Sequence, residues 1–161
     1  MPQDDKLLRD QLVAALREGH AHIDLFSALK GFPEALYGKK PKGAPHSAWQ
    51  LLEHIRIALN DLLVFSTDPN YVAPKWPDAY WPEQAAPENA AAWKTSVKAF
   101  KADLSALEKL IQNPDSSLYA QIPWGDGQTL LREILLAIDH NSYHLGQFVL
   151  LRKQLEKRDS N

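Results

Sequence analysis

Apolar residues recur at three- and four-residue steps in four stretches of the chain, and the prolines fall between those stretches. In the first stretch Leu8, Leu12, Ala15, His22, Phe26 and Leu29 share one side of a helical projection. The second opens on Ser47-Ala48-Trp49-Gln50, where the serine hydroxyl can accept from the Gln50 amide while the glutamine reaches back, a capping box. Leu51, Ile55, Ala58, Leu62 and Phe65 continue from it. The third carries Trp93, Val97, Phe100, Leu104, Leu107 and Ile111 without a break, and the fourth carries Leu131, Ile134, Leu135, Ile138, Leu145, Phe148 and Val149. Proline lacks an amide donor and clashes with the preceding turn, so long helices belong in the proline-free stretches. Pattern and punctuation together predict helices over 4–30, 47–66, 88–112 and 128–157. No stretch alternates as a strand would.

Four amphipathic helices can bury their stripes only against one another. The expected fold class is therefore all-α, a four-helix bundle forming a single domain over 1–161. Residues 67–87, TDPNYVAPKWPDAYWPEQAAP, are too long for a hairpin and too rich in proline to be slack. They form a crossover between helices two and three, with Trp76, Tyr80 and Trp81 expected to pin it to the bundle. Such a crossover allows its helix pair to run parallel or antiparallel. Trp124-Gly125-Asp126-Gly127 reads as a turn into the last helix, with a cap at Asp126 or Thr129 and Trp124 as an aromatic anchor.

Composition narrows the functions. The 161 residues are 45% hydrophobic and 24% charged, the balance of an ordinary globular protein. A formal charge of −2 argues against a nucleic-acid-binding module, whose phosphate contacts usually need a basic face. The absence of cysteine excludes disulfides, thiolate metal sites, iron–sulfur clusters and a cysteine nucleophile. There is no apolar run of the roughly 18 residues a membrane span needs. The opening MPQDDKLLRD is acidic and polar, unlike a secretory signal, so a cytoplasmic protein is expected.

Six histidines are the unusual resource. His140 and His144 stand at i and i+4 and border the apolar stripe, so both imidazoles leave the same side of the last helix. His54 sits on the core side of the second helix. Burying three unpartnered imidazoles costs roughly 1–3 kcal/mol each, and convergence on one metal ion would offset that cost. The plainer reading is solvent-facing histidines, or core histidines satisfied by hydrogen bonds. His22, on the first stripe, is either a lining residue near the metal or a core histidine on a carbonyl. His20 is expected to be exposed, and His46 to pack on Leu51 ahead of the capping serine. A metal-bound imidazole usually donates its second N–H. Asp61, two turns after His54 on the same face, is the best carboxylate to receive it, since Glu53 and Asp139 adjoin the ligands and point elsewhere. Gln147, three residues after His144, is placed to contact the pocket or to pack beside Gly146.

The sequence EHI in the second helix, the YWP of the crossover and HNSYHLGQ in the last helix resemble the DinB-like (DinB/YfiT) four-helix proteins. The likeness covers nearly the whole chain, and its most specific part is a lone mid-helix histidine followed much later by HxxxHxGQ. The resemblance implies that His54, His140 and His144 bind a divalent metal, nickel or zinc, with coordination positions left open. It further implies a metal-dependent enzyme, a thiol-dependent transferase or isomerase or a hydrolase, with a small-molecule substrate such as a low-molecular-weight thiol and a homodimeric assembly. The alternative is a non-catalytic metal- or ligand-binding stress-response protein. A third reading is a dimerising scaffold that keeps the histidines only as packing. A carboxylate at the open position would favour catalysis.

Overall fold

Capping side chains and prolines set the helix ends. The computed structural model describes residues 2–18 and 21–158, and these contain α1 (Gln3–Glu18), α2 (Leu25–Leu29), α3 (Ala48–Thr67), α4 (Ala90–Gln112) and α5 (Leu130–Arg158). Two single 3-10 turns, Glu34–Leu36 and Asp78–Tyr80, lie in the connections. No strand occurs among the described residues, only one isolated bridge between Gln121 and Thr129. No helix is long and apolar enough to cross a membrane.

The predicted first helix is two helices. Asp24 starts the second of them, accepting from the Ser27 amide at 2.9 Å and from the Ser27 hydroxyl. A carboxylate that caps a new helix removes its own residue from the old one, and Gly19 ahead of it carries the usual penalty of glycine in a helix, about 1 kcal/mol. The remaining three helices match their predicted spans to within two residues.

The capping box is present. Ser47 Oγ accepts from the Gln50 amide at 3.2 Å and Gln50 Oε1 accepts from the Ser47 amide at 3.2 Å. The same Ser47 hydroxyl donates to the Ala85 carbonyl, and the Gln50 amide nitrogen donates to the Pro82 carbonyl at 3.1 Å. One cap thus also holds the end of the crossover. Ser47→Ala is expected to destabilise the protein by about 1–2 kcal/mol, read from urea unfolding midpoints. A loss under about 0.3 kcal/mol would show that the crossover, not the cap, sets this helix end.

Four long helices form a ring in the order α1, α4, α3, α5, because α1 and α3 each pack against both α4 and α5. Side-chain pairs give the directions. Glu53 meets Ser96 and Asn60 meets Asp103, so α3 and α4 run parallel. Arg9 reaches Ile111 while Arg17 reaches Glu108, so α1 and α4 are antiparallel. Trp124, just ahead of α5, donates to the Phe65 carbonyl at 2.7 Å near the end of α3, which makes α3 and α5 antiparallel. It follows that α1 and α5, which also pack together, run parallel. The long crossover is what permits α3 and α4 to run parallel, since it must return along the full bundle.

The core holds Leu52, Ile55, Leu59, Phe100, Leu107, Ile111, Ile134 and Phe148. One end is aromatic: Tyr37 stacks on Trp93 at 3.9 Å, and Phe32 packs against Trp93 and Phe148. Of the three aromatic residues expected to pin the crossover, Tyr80 and Trp81 are half-buried and do so. Trp76 is 68% exposed, held only edge-on against Tyr80. Its ring partner belongs to the same crossover and not to a helix of the bundle, so Trp76 does not pin the segment.

Candidate metal centre

The antiparallel packing of α3 on α5 brings His54 opposite His140 and His144, which stand one turn apart. His54 Nε2 lies 3.0 Å from His140 Nε2 and 3.1 Å from His144 Nε2. His54 and His144 are buried and His140 is half-buried. All three expected ligands therefore converge. No carboxylate joins them among the described residues.

The protons can be assigned from the partners. His54 Nδ1 is 2.9 Å from the Tyr80 carbonyl, and His144 Nδ1 is 3.1 Å from Gln147 Oε1. A carbonyl oxygen only accepts, so each Nδ1 carries the hydrogen and each Nε2 presents a bare lone pair. Two such lone pairs face each other at 3.1 Å with no hydrogen between them. That arrangement is repulsive by itself and favourable around a cation. The spacing is one that two ligands about 2.0–2.1 Å from a single ion adopt, so the residues fit a divalent metal.

Burial keeps the rings neutral. It pushes the pKa of His54 and of His144 below the usual 6.5. His140 falls to about 4, through burial first and then the charges of His144 and His54. A ligating histidine must be neutral, so the cluster is in its ligating form at pH 7.

The crossover completes the surroundings. Trp81 lies flat on His54, with ring centres 3.7 Å apart and planes 5° from parallel. His46 lies flat on Trp81 at 3.8 Å, so the indole is sandwiched between two imidazoles. Tyr71 and Tyr80 each donate a hydroxyl hydrogen bond of 2.7 Å to Asp61, one to each carboxylate oxygen. Burial and the Asp61 charge raise both phenols, Tyr71 to about 12, which keeps them protonated donors.

Several expectations are corrected here. Asp61 receives no histidine N–H: seven residues along a helix is roughly 10 Å, and the Tyr80 main chain occupies the place beside His54. His22 is exposed, with Nδ1 near the Ile23 carbonyl, and it is not part of the cluster, because the α1 stripe ends before it. His20 lies outside the described residues. His46 lines the same groove as Leu51, and the ring contact it makes is with Trp81. Glu53 pairs with Arg56 and Ser96, and Asp139 is exposed, so both point away from the cluster. Gln147 does meet the site, Trp124 anchors its turn, and Thr129 caps α5 by accepting from the Arg132 amide at 3.2 Å. The sequence reading missed the roles of Tyr80 and Trp81 at His54. The YWP triplet flagged the place, but an acceptor that is a main-chain carbonyl has no sequence signature.

A ring of four helices with two parallel pairs, α3 beside α4 and α1 beside α5, and a largely buried three-histidine cluster between α3 and α5 defines a helical-bundle protein whose histidines could hold a metal ion. Residues 9–148 match the DinB superfamily, and the chain belongs to it. No curated protein and no solved structure matches the chain at a significant level.

Proposed function

We propose that His54, His140 and His144 hold a divalent ion, zinc or nickel, and that the protein is a metal-dependent enzyme acting on a small thiol. The observation that carries the reading is the convergence of three Nε2 atoms, two of them left bare because Tyr80 and Gln147 take the opposite hydrogens of His54 and His144. When bound, a divalent ion supplies Lewis acidity, bringing a water ligand's pKa to about 7 and deprotonating a thiol outright. His54, His140 and His144 supply neutral nitrogen and leave the remaining positions free. Asp61 is engaged by two tyrosines, and no carboxylate joins the cluster among the described residues. Chemistry that needs a carboxylate base there is disfavoured. A thiol brings its own nucleophile and needs only to lose its proton, which suits a transferase or isomerase better than a hydrolase.

A groove of about 350 Å³ lies between α5 and the loop before α3, and none of the three histidines lines it. Gln147, which meets His144, and His46, which stacks on Trp81, line it together with Leu51, Leu150 and Lys42. An apolar floor with amide and ammonium donors fits a small molecule with an apolar body and an oxygen-rich end.

The missing carboxylate also favours a second reading, a metal-binding protein without catalysis. Cobalt(II) substitution separates the two. Under the enzyme reading, 2-mercaptoethanol added to the cobalt protein is expected to produce a thiolate-to-cobalt charge-transfer band in the near ultraviolet, and ethylene glycol to produce none. A cobalt spectrum indifferent to the thiol would favour the second reading, and failure to bind cobalt or zinc at all would overturn both.

A further inference from the structure

Asp61 stands two turns beyond His54 on α3, too far to touch it, yet one residue of the crossover joins the two. The Tyr80 hydroxyl donates to Asp61 Oδ2 at 2.7 Å while the Tyr80 carbonyl takes the His54 Nδ1 hydrogen at 2.9 Å. We propose that Asp61 is a positioning residue for the histidine centre, acting through Tyr80 to fix the tautomer and orientation of His54. This rests on the reading of the three histidines as ligands.

The placement of the anchors supports the assignment. Downstream of Tyr80, the crossover is tied to the start of α3 through the Pro82 and Ala85 carbonyls. Upstream, residues 72–79 are mostly exposed, and the side-chain bonds that return this part to the bundle are those of Tyr71 and Tyr80 to Asp61. A carboxylate is suited to this role because it accepts at both oxygens and donates nowhere. Hydrogen bonds to a charged acceptor are also roughly twice as strong as neutral ones. With the Tyr80 side chain fixed, its carbonyl is fixed, and the next residue, Trp81, is laid flat on the His54 ring. His54 is thereby held at Nδ1 and across its face, and Nε2 is left to point at His140 and His144. Tyr71 shares the carboxylate but has no bond to a histidine, which makes it the internal control.

Groups that orient a ligating histidine change metal affinity about 10–100-fold when removed. Asp61→Asn and Tyr80→Phe are therefore expected to weaken zinc binding at least tenfold in chelator competition, and Tyr71→Phe to change it less than about threefold. Thermal unfolding without metal should fall by similar amounts in Tyr71→Phe and Tyr80→Phe, since each loses one hydroxyl bond to the same carboxylate. The His54 Nδ1–H signal, followed by proton–nitrogen NMR without metal, should be slowly exchanging in the wild type and in Tyr71→Phe. It should broaden or vanish in Asp61→Asn and Tyr80→Phe. Equal loss of zinc affinity in the two tyrosine variants would overturn the proposal, as would wild-type affinity with an intact His54 signal in Asp61→Asn. If the wild type bound no zinc, the metal reading would fall, and the His54 signal alone would decide whether Asp61 positions the ring.

Discussion

Zinc at a free concentration a hundredfold above its dissociation constant is expected to raise the unfolding midpoint by about 5–10 °C near pH 7.5, and His144→Ala to abolish the rise. Binding to the folded state alone stabilises it by RT ln(1 + [L]/Kd), about 2.7 kcal/mol at that ratio. For a chain of this size each kcal/mol moves the midpoint by about 2–4 °C. His144 is buried and contributes one of the converging nitrogens, so its loss leaves two ligands. His22→Ala, at an exposed position outside the cluster, should keep the full rise. Acid should remove the effect. The folded pKa values of His54, His140 and His144 all lie below the usual 6.5, that of His140 at about 4. Groups with depressed folded pKa bind fewer protons in the native state than in the unfolded chain. Their stabilising contribution is thus complete above about pH 6.5 and declines as the pH falls toward about 4, with or without metal. Zinc steepens the decline, because every proton bound to a ring displaces the ion. Melting curves with and without zinc at about pH 7.5 and about pH 5 read all of this. An equal zinc-induced rise in wild type and His144→Ala would end the assignment of the centre, and a rise that did not shrink in acid would rule out histidine ligation.

Arg9→Ala is expected to cost about 3 kcal/mol of stability, with no change in zinc affinity. Arg9 is only 4% exposed, an unusual burial for a guanidinium. From α1 it donates to the carbonyls of Ile111, Asn113 and Ser116 and to the Ser116 hydroxyl, while its Nε holds Asp5 at 2.8 Å. The last carbonyls of a helix have no partners within it, and the helix dipole makes that end negative. One arginine therefore closes the end of α4 and joins it to α1. Truncation leaves buried acceptors unpaired and Asp5 without its cation. Arg9→Lys should recover less than half the loss, because a single ammonium cannot reach the separate acceptors that the planar fork serves. Urea unfolding at constant m value measures both variants. A loss under about 1 kcal/mol for Arg9→Ala would mean that water closes α4 equally well.

Local physics made much of the molecule legible before folding. Helix positions follow from where proline is absent and where apolar residues recur, because both act within a few residues of themselves. For the same reason Ser47 and Gln50 announced their cap, and His140 and His144 announced that they share a face. The break between α1 and α2 was also legible in principle: Gly19 and the Asp24–Ser27 cap are local signals, masked by an apolar stripe that ran on through them.

Tertiary structure decided what depends on residues distant in the chain. Nothing near His54 states that it meets His140 and His144, 86 and 90 residues away. That pairing follows from the antiparallel docking of α3 on α5. Asp61 read as a partner for a ligand, yet the crossover placed two tyrosines on it and inserted a main-chain carbonyl beside the ligand instead. Every residue owns a carbonyl, so such an acceptor leaves no mark in composition or spacing. The stack of His46, Trp81 and His54 is hidden in the same way, because flat contact between rings is set by where three separate segments cross. The sequence by itself determined which helices form and which side chains each face carries, since those are short-range properties of the chain. Only the fold decided which faces meet, and with them the histidine cluster, its neutral rings and the crossover that holds them.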